Sequence, residues 1–366
     1  MLTIIAQYPN DTNERDGMIQ RIKKIDDNFH NIERRYLEIS FFDFFIYEKE
    51  KRENTTIFKL NFFVYFILIT WFCMTSPVVY VHSIYNSLRI IWVYFLHNHI
   101  ITDLHGVVVE EIKMNKKHNK LYIFFGACLF KIVETVTLKR SWYLISVTNR
   151  MKRYYQNIYH IKDARFMLIP IFYTIEGKSL HKKKNIPSRI IYSGGTQPWQ
   201  CAELMMQYVH KTINLFQWII LSTDVAYFEA KSRELNVQDK IFIKSVAPDD
   251  VALYYEYCDF GIILREDNIV NRVACPTKLI EYLQYGLVPV VLSPHIGDFD
   301  LMGYQYITID DLEKECHCNS INFDQIRKKN RKVIDNIQNI AETNLKQLYN
   351  VVFETVLCAK TKTSYK

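Results

Sequence analysis

Short apolar runs alternate with longer amphipathic stretches over most of this chain, and this alternation constrains the fold more than any other feature of the sequence. Apolar strands without a polar face are typical of parallel sheets that helices cover on both sides. The chain is therefore predicted to be an α/β protein. In its first half, the predicted strands are Thr3–Gln7, Tyr36–Phe41, Val78–His82, Ile100–Asp103, Leu144–Val147 and Phe166–Ile169. The predicted helices between them include Met18–Phe29, Tyr85–His97 and Arg150–Tyr159.

The alternation stops around Ile171–Pro187, where polar, turn-forming residues and a run of lysines replace it, and we place an interdomain linker there. The strands predicted beyond the break are Arg189–Tyr192, Trp218–Ser222, Ile241–Lys244, Phe260–Leu264 and Val288–Leu292. The predicted helices are Trp199–Lys211, Val225–Leu235, Asp249–Tyr257, Thr277–Tyr285 and a tail over Phe323–Leu357. We therefore predict two doubly wound domains, over 1–185 and 186–335, and a tail over 336–366 that packs back on the first domain.

Charge is distributed unevenly between the two halves. Residues 1–185 contain 27 Lys and Arg against 17 Asp and Glu, whereas residues 186–366 contain 19 against 22. A basic first half indicates an anionic partner, which is a membrane surface, a nucleic acid or a phosphorylated substrate. Nucleic acid is not predicted as a partner, because no recognisable binding module is present and the basic residues are mixed with apolar helices.

The longest apolar run, Phe62–Met74, is shorter than the roughly 18–20 residues that a membrane span requires. We expect a buried helix there that leads into the strand at Val78, with a membrane-dipping helix as the alternative. A second apolar stretch, Leu121–Phe130, is interpreted as less membrane-like because Lys131 and Glu134 follow it closely.

The eight cysteines lie mostly in apolar runs, as buried free thiols do. No secretory signal opens the chain, so the sequence predicts a protein of the reducing cytoplasm. The Cys316-His317-Cys318 cluster has zinc-binding residue types, but no second pair lies at ligand spacing. No structural metal is predicted.

Polar residues converge after the buried strand that ends at Leu264. Arg265 follows the strand, and a loop leads to Pro276, which suits the first turn of a helix because its missing N–H is not needed there. Free backbone N–H groups at such a helix start attract phosphate, and Lys278 adds a full positive charge. Glu281 lies about one turn further, where a carboxylate can accept hydrogen bonds from ribose hydroxyls.

This segment resembles the donor-nucleotide site of glycosyltransferase family 4, whose members have the GT-B fold: two doubly wound, Rossmann-like domains that face each other across a cleft. The residues that carry the resemblance are Arg265, Pro276-Thr277-Lys278, Glu281-Tyr282-Leu283, Gly286 and Pro289. The resemblance implies that Arg265, Thr277, Lys278 and Glu281 bind the donor nucleotide.

The segment Ile190–Gln200 is similar to the glycine-rich loop of GT-B transferases, because Gly194-Gly195 follow the first strand of the predicted second domain. Paired glycines allow the backbone to approach a phosphate closely. The resemblance therefore implies that both glycines bind the donor.

The sequence departs from the family at two places. Many members carry an Arg and a Lys after this first strand, where this chain has Thr196, Gln197 and Pro198, so Arg272 is predicted to join Arg265 and Lys278 in binding the diphosphate. Many retaining members also carry two glutamates separated by seven residues. Glu281 matches the second, but the first falls on Val273, for which Glu266 or Asp267 are the available substitutes.

In the first domain, Asp103 and His105 follow a strand, and Gly106 permits a tight turn. Similar Asp-x-His-Gly segments occur in the acceptor domains of related glycosyltransferases. A strand-end Asp and His can orient or deprotonate an acceptor hydroxyl, so both are predicted to be catalytic. His82, after another strand, and the Asp16-Gly17 step are predicted on the acceptor side, although a plain helix N-cap explains Asp16 equally well.

The resemblance implies transfer of a sugar, with retention of configuration, from a nucleotide-diphosphate sugar to an acceptor hydroxyl, with no metal or other cofactor. The basic first domain then favours docking on the anionic inner face of the cell membrane and a lipid-linked or polysaccharide acceptor for a surface glycan such as a capsule or O-antigen. The basic residues that suggest this are Lys113, Lys116, Lys117, Lys120, Lys139, Arg140, Arg150, Lys152 and Arg153. Two alternatives remain open: a sugar-nucleotide epimerase of the same fold, and a non-catalytic partner of an active transferase.

Overall fold

The computed structural model describes residues 1–10, 12–13, 16–115, 119–172, 188–312 and 322–364. The chain divides into two compact units, Met1–Pro170 with Ile340–Lys366, and Ile171–Asn339. Each unit has a sheet with helices, as the α/β prediction requires. Most of the predicted linker, Lys116, Lys117 and the Cys316-His317-Cys318 cluster lie outside the described residues.

Eight strands are described in the sheet of the first unit, in the spatial order β3-β4-β2-β1-β5-β6-β7-β8. All neighbours pair in parallel except β3 and β4, which form an antiparallel pair at one edge. The strands are β1 (Leu2–Ile5), β2 (Arg34–Ser40), β3 (Glu48–Arg52), β4 (Thr55–Asn61), β5 (Val78–His82), β6 (Ile100–Leu104), β7 (Tyr143–Ser146) and β8 (Phe166–Leu168).

Helices flank this sheet, and the segments after the strands hold several of the predicted site residues. They are α1 (Gly17–Asp27), α2 (Phe66–Met74), α3 (Ser83–Leu88), α4 (Val93–Leu96), α5 (Val108–Met114), α6 (Lys120–Arg140) and α7 (Asn149–Tyr159). The single helix predicted over Tyr85–His97 is wrong, since α3 ends at Leu88. Side chains of Asn86 and Ser87 bond the carbonyls of His82 and Ser83, and such local bonds favour helix ends.

The β3–β4 hairpin was not predicted, because β3 reads EKEKR and all five of its residues are exposed. A strand without an apolar face carries no alternation signal. It lies at the sheet edge through its pairing with β4, a strand whose residues Ile57, Phe58 and Leu60 are buried.

The sheet of the second unit is parallel throughout, and its order is β11-β10-β9-β12-β13-β14. Renumbered from its own first strand, this is the 3-2-1-4-5-6 order of a Rossmann sheet. The strands are β9 (Arg189–Ser193), β10 (Gln217–Leu221), β11 (Ile241–Lys244), β12 (Phe260–Ile263), β13 (Val288–Val291) and β14 (Ile307–Thr308). The core around them includes Trp218 and Phe228.

The helices described in the second unit are α8 (Ala202–Thr212), α9 (Val225–Glu234), α10 (Pro248–Glu256), α11 (Ile269–Val273) and α12 (Thr277–Gln284). A long helix, α13 (Phe323–Ser364), then runs from this unit into the first. Within the first unit, Asn344 of α13 donates to the Leu168 carbonyl at 2.7 Å, and Asn28 donates to the Leu345 carbonyl at 3.1 Å.

The two apolar stretches of the sequence, Phe62–Met74 and Leu121–Phe130, both lie largely in helices that expose apolar side chains. The helix in Phe62–Met74 is not simply buried: α2 buries Ile69, Phe72 and Cys73 but exposes Ile67 and Trp71. The stretch interpreted as less membrane-like belongs to α6, which is long and apolar enough to cross a membrane by length and composition alone. Length and composition do not test membrane contact, so that interpretation stays a prediction.

Candidate functional site

Both sheets reverse their strand order at one point, between β1 and β5 in the first unit and between β9 and β12 in the second. In doubly wound sheets, ligands bind beside the carboxyl ends of the strands at such a point. The predicted site residues follow strands at or next to these two points. We describe the two clusters separately, beginning with the second unit.

The glycine loop after β9 is held by side chains on both sides. The Tyr192 hydroxyl donates to the Gly195 carbonyl at 2.6 Å, and the Asp224 carboxylate accepts hydrogen bonds from the backbone and hydroxyl of Thr196 at 3.0 and 2.8 Å. A Cβ at Gly194 would approach the Gln200 amide oxygen to 2.5 Å. The loop therefore has a defined shape, and a side chain at Gly194 would require Gln200 to move.

Arg265 follows β12 and lies half-buried at the strand end. Its Nη1 donates to the Asn271 Oδ1 at 3.1 Å, whereas its buried Nε has no hydrogen-bond partner among the described residues. Burial lowers the pKa of Arg265 to about 10, so the guanidinium stays charged at neutral pH. A buried, charged donor without a partner has hydrogen-bonding capacity for an anionic ligand.

Lys278 and Glu281 lie one turn apart on α12, whose N-cap is Pro276 and whose first residue is Thr277. The Glu281 Oε2 accepts from the Tyr255 hydroxyl at 2.6 Å and from the Lys278 Nζ at 3.3 Å. The Lys278 side chain keeps 32% of its surface exposed and that of Glu281 15%. The structure therefore brings the predicted lysine and glutamate together, with room for a ligand beside the lysine.

Three further residues fix this cluster. The Tyr255 hydroxyl lies 2.6 Å from Ser193 Oγ, at the end of β9, and the Tyr282 hydroxyl accepts from the Ser193 backbone at 3.1 Å. Sequence reasoning gave neither tyrosine a role. The available signal was Gly261 inside β12, since an isolated strand glycine often marks close packing, and a Cβ there would collide with the Tyr282 ring.

Arg272 and Val273 are placed differently from the residues above. The Arg272 Nε and Nη2 pair with the Asp267 carboxylate at 2.5 and 2.8 Å, and both side chains are exposed. This pairing engages Asp267, one of the two substitutes for the missing glutamate. Val273 is only 1% exposed, so the position of the first family glutamate is part of the core in this chain.

In the first unit, Asp103 at the end of β6 is fully buried under an arginine that the sequence did not suggest. Arg21 of α1 donates from Nε to both carboxylate oxygens, at 3.1 and 3.0 Å, and from Nη2 at 2.8 Å. Burial raises the pKa of Asp103, but Arg21 and the two neighbouring imidazoles more than offset it, and the net pKa lies well below the ordinary value. Asp103 is thus a permanent anion that orients its neighbours rather than a proton acceptor.

The two imidazoles are His82, which faces Asp103 in the strand register, and His105. The His82 Nδ1 lies 3.3 Å from the His105 Nε2, and the two rings approach the same Asp103 oxygen at 3.5 and 3.6 Å. Burial lowers the pKa of His82 to about 4, against the opposing effect of Asp103, so His82 is neutral at pH 7. Since His82 is fully buried and His105 is partly exposed, His105 is the one that can meet a substrate.

His82, Asp103 and His105 also have the residue types of a metal site, and their ligand atoms lie within 4.8 Å of one another. The Arg21 guanidinium, however, already engages both oxygens of Asp103. A divalent cation there would lie beside a fixed positive charge, which disfavours it. The arrangement suits an imidazole pair held by an ion pair better than a metal.

The turn after His105 is held by groups from two helices, α5 and α7. The Tyr155 hydroxyl donates to the Gly106 carbonyl at 2.8 Å, and the Glu111 carboxylate occupies the space that a Cβ at Gly106 would need. Burial raises the pKa of Glu111 to about 7, the nearby Glu134 adds to this rise, and a hydrogen bond with the Val107 backbone opposes it. A group that titrates near neutrality therefore lies against the turn that carries His105.

The Asp16-Gly17 step forms a helix N-cap, in which the Asp16 carboxylate accepts from the Met18 backbone at 2.7 Å. Elsewhere in the first unit, past the end of β1, a cavity of about 470 Å³ is lined by polar and aromatic side chains that include Tyr8, Glu38, Arg52 and Lys59. The Tyr8 backbone donates to Glu38 at 2.8 Å, and Arg52 lies over the Tyr8 ring. An aromatic face beside charged groups is suited to binding a sugar.

Comparison with known proteins gives matches in structure but not in sequence. No family model matches, and no curated protein matches. Sucrose-phosphate synthase from Thermosynechococcus elongatus is 11% identical, with a TM-score of 0.67 over 98% of this chain and 99% of that one. The lipopolysaccharide outer core galactosyltransferase WaaB is 13% identical, with a TM-score of 0.63 over 96% and 99%.

A third neighbour is the UDP-forming α,α-trehalose-phosphate synthase from Burkholderia xenovorans in complex with glucose-6-phosphate, which is 10% identical with a TM-score of 0.62 over 96% and 100%. All three neighbours are GT-B glycosyltransferases. At such low identity the matches establish the fold, and the predicted GT-B fold is confirmed.

Proposed function

We propose that this protein is a glycosyltransferase that moves a sugar from a nucleotide-diphosphate sugar to an acceptor hydroxyl. The observation that carries the proposal is the cluster of Arg265, Lys278 and Glu281 at the order reversal of the second sheet. Arg265 follows β12 closely, and Lys278 and Glu281 lie on α12 shortly after it, so two cations, a helix N-terminus and a hydrogen-bonded carboxylate follow the same strand. The GT-B fold adds support, because the neighbours of this chain are glycosyltransferases and one of them is described as UDP-forming.

On the donor side, negative charge grows on the departing diphosphate as the bond to the sugar breaks. The Lys278 ammonium, the Arg265 guanidinium and the first N–H groups of α12 are fixed donors for that charge, and such preorganised groups stabilise a transition state without reorganising. The Glu281 Oε2 already accepts from Tyr255 and Lys278, so its other oxygen accepts from the ribose hydroxyls. These cations neutralise the diphosphate, and we propose that no metal is needed.

On the acceptor side, His105 is the proposed group that meets the acceptor hydroxyl. Asp103 stays ionised under Arg21 and holds the two imidazoles, while neutral His82 lies within hydrogen-bond distance of His105 Nε2. The polar cavity beside Tyr8 is a proposed acceptor subsite in the same unit. Asp103 and His82 are therefore positioning residues, and His105 is the catalytic one.

The finer proposals concern the acceptor and the stereochemistry. We propose a lipid-linked or polysaccharide acceptor of a surface glycan at the inner face of the cell membrane, which the match to a lipopolysaccharide core galactosyltransferase and the basic first unit support. We also propose retention of configuration, as the family resemblance implies. With Val273 in the core, retention here proceeds without a carboxylate at that position.

The test is a panel of nucleotide-diphosphate sugars, read by nucleotide release with and without glycan and lipid-linked acceptors. Release that depends on both a donor and an acceptor is expected, and proton NMR of the product reports its anomeric configuration. Interconversion of nucleotide sugars without acceptor would identify an epimerase. Donor binding without turnover across the panel would identify a non-catalytic partner, and either result overturns the proposal.

A further inference from the structure

Large apolar side chains are exposed in contiguous segments of the first unit, whereas in the second unit they are scattered singly. The exposed segments are the loop 41–47, helices α2 and α4, and the first half of α6; together we call them the apolar face. Scattered exposed hydrophobic residues are ordinary, but a contiguous set marks an interaction site.

The first half of α6 packs on its own unit along one side, where the Phe130 ring lies 5.0 Å from the Tyr85 ring, and is exposed along the other. Phe124 and Phe125 are each 62% exposed, and Leu121 and Ile132 are exposed as well. The buried positions of this helix begin only at Val133. Residues 120–132 therefore present an apolar side that no part of the described chain covers.

Helix α2 and the loop beside it continue the same character. Ile67 on α2 and Phe42 in the loop are both 83% exposed, and Trp71 lies one turn after Ile67. The segment 61–82 carries no charged residue. An ordinary surface helix turns a polar face to solvent, so the exposed apolar residues of α2 require another explanation.

Contacts between aromatic rings connect these segments. The rings of Phe41 and Phe63 lie 6.1 Å apart, and the Phe66 ring lies 4.3 Å from the Trp92 ring next to α4. Helix α4 packs on both α2 and α6. The segments of the apolar face thus adjoin one another.

The charges on α6 indicate which partner covers this face. Lys120, Lys131, Lys139 and Arg140 are all exposed, whereas the one carboxylate of the helix, Glu134, is buried and accepts from the Tyr159 hydroxyl at 2.5 Å. The Arg140 guanidinium lies 5.0 Å from the Phe95 ring, at the edge of the face. Aromatic and aliphatic side chains flanked only by cations on the same helix match a bilayer leaflet with anionic headgroups.

We infer that the apolar face docks the first unit on an anionic membrane surface, with the first half of α6 and the exposed side of α2 inserted among the lipid headgroups and upper acyl chains. Helix α6 lies in the membrane surface rather than crossing it, because Val133, Thr137 and Leu138 are buried against the protein. The inference deepens the proposed location but does not depend on sugar transfer, since membrane binding is measured without donor or acceptor.

The experiment is co-sedimentation of the full chain with vesicles of phosphatidylcholine and phosphatidylglycerol, and with vesicles of phosphatidylcholine alone. Binding to the mixed vesicles is expected. The double variant Phe124→Ser, Phe125→Ser is expected to bind at least about tenfold more weakly, since two exposed aromatic side chains lose their transfer to lipid. The matched control is Leu253→Ser with Leu301→Ser, two exposed apolar residues of the second unit, and it should bind as the unchanged protein does.

A charge variant separates the electrostatic contribution to vesicle binding from the apolar contribution. Lys120→Gln with Lys139→Gln is expected to weaken binding to the anionic vesicles by about fivefold per lysine, and to leave the weaker binding to phosphatidylcholine unchanged. Circular dichroism of each variant confirms that it is folded.

Three results would overturn the inference: no binding to anionic vesicles at low salt, equal binding by the Phe124, Phe125 variant, or a dimer that this variant abolishes while vesicle binding persists. The last would assign the apolar face to a second copy of the chain. The two proposals can fail separately. Absence of vesicle binding with donor-dependent nucleotide release intact contradicts only this inference, and vesicle binding without nucleotide release contradicts only the proposed function.

Discussion

The two strand-end clusters use the same kinds of side chain in opposite ways. In the first unit, Arg21 and Asp103 are buried together, and every oxygen of the carboxylate is engaged. In the second, Arg265 has a buried nitrogen without a partner in the described chain, and Lys278 is one-third exposed beside Glu281. One cluster contains a completed ion pair, and the other holds cations with capacity left for a ligand.

This difference shows that the position of a charge in the fold does not by itself give its role. Both clusters follow parallel strands where ligands bind in doubly wound sheets. A buried pair with all partners satisfied fixes neighbouring groups and contributes to stability only as a pair, whereas a charge with free donors stabilises a ligand. Substitution of Arg21 should therefore affect mainly folding, and substitution of Lys278 mainly function.

The largest expected effect is that of Arg21→Met, which leaves the Asp103 carboxylate buried without its cation. The free energy of unfolding should fall by about 3–5 kcal/mol. Adding Asp103→Asn to this variant should restore part of the loss. Urea denaturation measures each value, and Arg331→Met, which removes an exposed pair with Asp335, should cost less than about 1 kcal/mol. Equal losses for Arg21→Met and Arg331→Met would contradict the description of the first cluster as a completed pair.

The second prediction concerns Lys278→Met in the donor cluster. We expect kcat/KM for the donor to fall by about 10²–10³-fold, because a preorganised cation is lost where diphosphate charge develops. The thermal unfolding midpoint should scarcely change, since the Lys278 side chain is one-third exposed and its ion pair with Glu281 is screened by solvent. Lys231→Met, which breaks surface pairs with Glu203 and Glu234, is the control for both measurements. A Lys278→Met variant that is destabilised but turns over normally would contradict the comparison, because Lys278 would then act in folding and not in function.

The sequence predicted the donor cluster better than the acceptor cluster for a physical reason. Lys278 and Glu281 lie on one helix, so their spacing alone places them one turn apart. The strands around the two order reversals were also predictable, since buried parallel strands are continuous apolar runs, whereas β3, β4 and β14 were not predicted. Arg21 is separated from Asp103 by 82 positions in the chain, and no local pattern indicates such a pair.

Three other features could not be predicted because they depend on contacts with distant parts of the chain. The charged strand β3 has no apolar face of its own and lies in the sheet by pairing with β4. The exposure of α6 could not be read from its composition, since a core helix and a membrane-surface helix have the same apolar residues. No sequence pattern indicates the role of Tyr255 either. Tyr255 lies on α10 and Glu281 on α12, and the two residues meet only in the folded chain.

A smaller effect is expected for Tyr255→Phe, which tests how the donor cluster is held. Glu281 Oε2 and Ser193 Oγ each lose a partner, so the free energy of unfolding should fall by about 1–2 kcal/mol. Donor affinity, measured by calorimetry, should fall by about three- to tenfold because Glu281 is no longer oriented. The control is Tyr254→Phe, at the preceding position in the chain, where the ring stacks on Phe242. This substitution should change neither the free energy of unfolding nor the donor affinity. Unchanged donor affinity in the Tyr255 variant would show that Glu281 does not need this bond.

The smallest expected effect is that of Glu111→Gln, beside the turn that carries His105. Because burial raises the pKa of Glu111 to about 7 from an ordinary value of 4.5, the folded state binds the proton more tightly than the unfolded state. Stability is therefore lost as pH rises from 4.5 to 7 and stays lost above that. Glutamine does not ionise, so the variant should melt about 2–4 °C higher at pH 8 and equally at pH 4.5. Glu110→Gln, which loses an exposed pair with Lys113, should show no such pH-dependent gain. A gain of the same size at both pH values would contradict this prediction. It would show that Glu111 destabilises the first unit through its packing against Gly106 and not through its ionisation.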